Sequence, residues 1–174
     1  MKKFWIVIIS FAVLLLTGCS KQLSLETVSD VQATPAAAVM QQVMVQLPPE
    51  LSVPALQDEK KGELYLCDEY SVMVQTVEAG DLAETIRNVT GMERETLQIM
   101  QTKQGGAERY QWVWSTNGEN GIQVGRGCIL DDGAYHYVLT AMTEEENAKK
   151  VQTVWREMFA SFRLVSGEPI SSGS

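Results

Sequence analysis

The chain has one histidine, three cysteines and five prolines in 174 residues. With His136 alone, any Ser-His-Asp or Cys-His centre must use that residue. It stands between Tyr135 and Tyr137 in a run that reads as a strand, with no nucleophile signature beside it, so we read it as structural. No zinc-ligand spacing, glycine-rich phosphate loop or dinucleotide fingerprint is present, and no cofactor or metal is expected. Positive charge is scarce as well. Fourteen Lys and Arg stand against 22 Asp and Glu, a net charge of −8. Phosphate contacts need clustered basic residues, which disfavours a nucleic-acid partner, and none is expected. Long hydrophobic runs are also missing. The N-terminal apolar run, uncharged from Phe4 to Ser20, falls short of the roughly 18 apolar residues that span a bilayer, and a polar segment follows it.

That short run has a specific ending. Lys2 and Lys3 precede it, and Leu16-Thr17-Gly18-Cys19 closes it. A basic start, a short apolar run and small residues form a secretory signal peptide, and these four residues match the lipobox of bacterial lipoproteins. The expectation is cleavage after Gly18 and lipidation of Cys19, which becomes the first mature residue. Cleavage removes Lys2 and Lys3, leaving 12 basic residues against 22 acids, about −10. Such a chain cannot adhere to anionic lipid by charge. Its attachment to the bacterial membrane, facing outside the cytoplasm, must come from acyl chains, at about 0.8 kcal/mol per buried CH₂.

Residues 19–38 read as a flexible tether of Ser, Thr, Gln and Ala with Thr34-Pro35, giving a reach of roughly 25 Å. A single domain is expected over 39–174. Val43, Val45 and Leu47 alternate before Pro48-Pro49, and extended runs follow over Glu63 to Glu69 and Ser71 to Glu78. Asp81, Glu84 and the spacing of Leu82, Ile86 and Val89 predict a helix that stops at Gly91. Strands are expected at Thr96 to Lys103, Ala107 to Ser115, Ile122 to Leu130 and Ala134 to Met142. The last three are joined by Asn-Gly and Asp-Asp-Gly turns into an antiparallel meander. Thr143 to Glu146 reads as a capping box. It opens a helix whose Ala148, Val151, Val154, Trp155, Met158, Phe159 and Phe162 share one face.

The aromatic meander, Tyr137-Val138-Leu139-Thr140, the acidic helix start and Phe159-Ala160-Ser161-Phe162-Arg163-Leu164 together resemble the PsbP/Mog1-like group, over about residues 39–165. The resemblance implies an α+β fold, with a twisted antiparallel sheet of six to seven strands flanked by helices as an α/β/α sandwich. It also implies a binding or accessory role, and it supplies no active site to carry over.

Candidate residues follow from chemistry. Tyr110, Trp112 and Trp114 point one way from their strand; if the long helix covers them they are core, and otherwise they form an aromatic shelf for a ligand. Glu119, Asp131 and Asp132 sit in turns. They offer either a polar contact rim or, in the alternative reading of an envelope hydrolase, an acid and a base. Cys67 and Cys128 are either buried small apolar residues or a disulfide; 61 positions apart, they would stabilise by about 4 kcal/mol if paired. The function expected is a membrane-anchored, non-catalytic module whose partner is a protein or another envelope component.

Overall fold

The computed structural model describes residues 39–58, 62–119 and 121–165. The expected signal peptide, Cys19 and the expected tether lie outside the described residues. Strand β8 (Tyr135–Glu144) is the centre, because its residues are buried on both faces almost without interruption. Around it a seven-stranded antiparallel sheet runs in the order β2-β3-β4-β8-β7-β6-β5. The other strands are β2 (Leu56–Asp58), β3 (Gly62–Leu66), β4 (Tyr70–Glu78), β5 (Met100–Gln104), β6 (Ala107–Gly118) and β7 (Gly121–Asp131). Strand β1 (Gln42–Met44) pairs separately with β9 (Arg163–Val165).

Each face of the large sheet carries one helix and one core. Helix α2 (Ala148–Ser161) presents Val151, Trp155, Met158 and Phe159 to Tyr70, Val72, Cys128, Leu130, Tyr137 and Leu139. Val43, Val45 and Leu47 pack against the same core. Their predicted alternation holds, although only three residues there are strand. Helix α1 (Leu82–Thr90) covers the other face, placing Ile86 over Trp112, Trp114, Ile129 and Val138. Asp81 caps it by accepting from the Ala83 N–H, and Gly91 ends it at φ 72°. That left-handed backbone is why glycine stands there.

Two local expectations change. Thr143 does not cap a helix: it is strand, paired with Tyr70 and Val124, and its hydroxyl donates to the Glu69 carbonyl at 2.6 Å. Sheet pairing outweighs the capping pattern. A 3₁₀ turn over Glu145–Asn147 then leads into α2. The strand expected from Thr96 also starts later, at Met100, because Arg94–Thr96 forms another 3₁₀ turn.

The chain's buried arginine ties α2 to the sheet. Arg109, 7 % exposed, donates to the carbonyls of Phe159 (2.6 Å) and Phe162 (2.8 Å) and to the Gln104 side chain. A guanidinium at a helix C-terminus meets both the unpaired carbonyls and the negative end of the helix dipole.

Candidate functional site

The side chains singled out by sequence do not form one site. Trp112 and Trp114 are 3 % and 5 % exposed. They are core, but beneath α1 rather than the long helix, so they offer no aromatic shelf; Tyr110 packs at the edge of the same cluster. Their rings lie over the glycines opposite them, Trp112 against Gly127 and Trp114 against Gly125. Glu119 and Asp131 stand at opposite ends of β7. Eleven residues at about 3.3 Å each put the two turns some 30 Å or more apart. They cannot act as acid and base together, and they do not make one rim.

Asp132 is committed to structure. It accepts hydrogen bonds from the Ala134 and Tyr135 N–H groups, the Tyr137 hydroxyl and the Gln41 side-chain amide. Burial pushes its carboxyl up, but these donors outweigh burial and hold it below the usual carboxylate range. Cys67 and Cys128 are free thiols. Burial pushes the Cys128 thiol up to about 12, so it is an inert core group.

His136 shows the arrangement closest to a catalytic one. Its Nδ1 is 2.8 Å from the Thr85 hydroxyl and its Nε2 is 3.7 Å from Asp131. With the Nε2 proton toward Asp131, Nδ1 accepts from Thr85. Sequence reasoning missed Thr85, since nothing local links position 85 to position 136. The geometry still lacks a requirement of acyl transfer. Thr85 lies inside α1 and its N–H is bonded to the Asp81 carbonyl. The N–H groups that follow it are committed to the helix, so no donor pair is left for an oxyanion. The ring is 1 % exposed, and the recess beside Thr85 carries Glu78, Asp81 and Glu84. We read this contact as the polar tie that docks α1 on the sheet.

A groove on the opposite face has different chemistry. It lies between the N-terminal half of α2 and strands β6 and β7, with a volume of about 670 Å³, inside the range of ligand sites. The sheet supplies Gln111, Val113, Val124 and Arg126 to its floor. Helix α2 supplies Lys149, Gln152 and Trp155, and Gln98 and Met100 close it at the β5 edge. Several walls are apolar and open to solvent: Val113 is 66 % exposed and Met100 57 %. No carboxylate lines it, although acids outnumber bases 22 to 14 in the chain.

Arg126 dominates the electrostatics. Its guanidinium lies 4.6 Å above the Phe159 ring, a cation–π contact. Its one hydrogen bond among the described residues is long, 3.5 Å to the Gln111 side-chain oxygen. Burial lowers its pKa most, Cys128 opposes that, and the nearby Arg109 adds a smaller lowering. Arginine nevertheless stays charged in proteins. No ion pair to Arg126 occurs among the described residues. It is a half-buried cation with most of its donors unused. Sequence reasoning missed this, because an arginine in a strand reads as an outward polar residue until the helix and groove are in place.

Among the described residues there is no group of acidic, histidine and cysteine side chains that could hold a metal, and no helix is long and apolar enough to cross a membrane. No protein-family model matches the sequence, and no curated protein matches it. Solved structures do. LpqN of Mycobacterium tuberculosis, described as involved in cell envelope biogenesis, is 9 % identical, with 73 % of this chain and 85 % of LpqN covered at a TM-score of 0.50. The cyanobacterial PsbP (CyanoP) of Synechocystis is 8 % identical over 73 % of this chain and 95 % of its own, TM-score 0.49. The Saccharomyces cerevisiae Ran-binding protein Mog1p is 12 % identical over 71 % and 90 %, TM-score 0.47. At these identities the likeness concerns fold alone, and the chain has the seven-stranded antiparallel sheet with a helix on each face expected of an α+β sandwich.

Proposed function

We propose that the protein is a membrane-anchored, non-catalytic binding module of the bacterial envelope, held by lipid on Cys19 and recognising its ligand in the groove between α2 and strands β6 and β7. One observation carries this reading. The groove combines exposed apolar walls with a half-buried arginine that has no ion-pair partner among the described residues. Desolvating a cation without pairing it costs free energy, and a ligand recovers that cost. The Leu16-Thr17-Gly18-Cys19 ending supports the location. So does the envelope role stated for LpqN, whose fold is similar. The separation of Glu119 from Asp131, the structural hydrogen bonds of Asp132 and the missing oxyanion donors at Thr85 argue against the hydrolase alternative.

The test is site-specific photo-crosslinking in living cells. A photoreactive residue replaces Gln152, an exposed position on the groove wall, and in a parallel strain Val53, an exposed apolar position that does not line the groove. The expected result is a covalent adduct at Gln152 and none at Val53. Equal labelling at both positions, or none at either, would contradict the reading.

A further inference from the structure

We infer that the groove is a receptor for amphipathic monocarboxylates, with the carboxylate on Arg126 and the apolar body along Val113, Val124, Met100 and Trp155. This deepens the proposal that the groove is the binding site, and it rests on that proposal. The charge comes first. Arg126 and Lys149 are the charged groups of the lining, both positive, and the remaining polar lining is the amide groups of Gln98, Gln111 and Gln152. An anion is therefore favoured, and a cation meets repulsion with no carboxylate to compensate it.

The type of anion follows from the count of donors. Arg126 presents one planar fork, pinned over Phe159 with a single long bond to Gln111. One fork matches one carboxylate in a bidentate pair. A phosphate monoester spreads up to two negative charges over three oxygens, and the sheet floor offers it one cation, since Arg109 is engaged with the carbonyls of Phe159 and Phe162 and Lys149 stands on the helix wall. Phe159 also holds the guanidinium in place, so little side-chain entropy remains to be lost on binding.

The rest of the groove describes the ligand's body. Val113 stands directly across from Arg126 in the β6–β7 register and is 66 % exposed, so apolar surface begins beside the charge. Trp155 lines the groove with its indole Nε1–H buried and without an acceptor. The glutamines can bond an amide or ester next to the chain.

The experiment uses the full chain in phosphatidylcholine nanodiscs and follows tryptophan emission, corrected with protein-free nanodiscs. A Trp155→Phe variant identifies the groove signal. The probes are octanoate, octanamide and octylamine, equal in length and different in charge. Octanoate is expected to give a saturable change that Trp155→Phe removes. Octanamide should bind at least about tenfold more weakly, the scale of a charge-assisted hydrogen bond, and octylamine should give no saturable change. Arg126→Gln should bring octanoate down to the octanamide level, while Arg126→Lys retains part of the preference. Should Arg126→Gln unfold, Val113→Glu serves instead: it places a competing carboxylate opposite Arg126 at an exposed position and should abolish octanoate binding. Equal affinity for octanoate and octanamide, or octanoate binding unchanged in Arg126→Gln or Val113→Glu, overturns the carboxylate assignment. So does a lack of saturable octanoate binding. If the Gln152 adduct still forms in cells, that failure is of the ligand class alone; without the adduct, the groove itself is the wrong site.

Discussion

Gly125 and Gly127 have no side chains because the rings of Trp114 and Trp112 fill that space. A Cβ at either position would sit 2.4 Å from ring atoms of its cross-strand tryptophan. Both rings are buried under α1, so neither can swing outward without opening the core. We expect Gly125→Ala and Gly127→Ala each to lower stability by about 1–3 kcal/mol, the usual cost of overpacking, measured by urea unfolding. Asp132 makes a second prediction at this scale. Its carboxyl is held low in the folded state, so its contribution is present above the unfolded pKa and is lost as pH falls through the folded one. Asp132→Asn mimics the protonated form. The variant should be less stable than wild type at pH 7, and the gap should close as pH falls below about 4. A gap that stayed constant or widened on acidification would refute this role.

Helix α2 depends on both its apolar stripe and Arg109. The stripe was legible in the sequence, since Val151, Trp155, Met158 and Phe159 recur at helical spacing and are all buried. The cap was not legible, because Arg109 lies some fifty positions away and only the sheet brings it to the Phe159 and Phe162 carbonyls. We expect Arg109→Ala to cost about 3 kcal/mol through the lost charge-assisted bonds, with Phe159→Ala costing about 3–5 kcal/mol; thermal unfolding checks both. An Arg109→Ala protein as stable as wild type would show that the arginine is not holding the helix end. The same contrast explains the other elements. The helix at 82–90 and the meander were readable from caps, periodicity and Asn-Gly turns, all of them local signals. Thr143 misled for a complementary reason: its local capping pattern is strong, but pairing with strands on both sides extends β8 through it. The groove was invisible for the same physical reason as the cap. It exists only where Gln111 and Arg126 on the sheet meet α2.

For the molecule as a whole, net charge bears on the proposed anchor. An acidic chain is repelled by anionic lipid, so the proposed membrane attachment would rest on the acyl chains expected on Cys19. Cys19→Ser should move the protein from the membrane to the soluble fraction, and unchanged retention with unchanged mass would contradict lipidation. The same acidity makes the carboxylate-free groove distinctive, because in a chain with 22 acids its lining among the described residues is cations, amides and apolar groups. The central claim is that this groove, and not the acidic turns, is the working surface. The most direct measurement compares adduct yield from the photoreactive residue at Gln152 in three backgrounds: otherwise unaltered, Val113→Glu, and Glu119→Ala with Asp131→Ala. We predict that the adduct is lost with Val113→Glu and retained in the turn variant. Retention with Val113→Glu and loss in the turn variant would contradict the account.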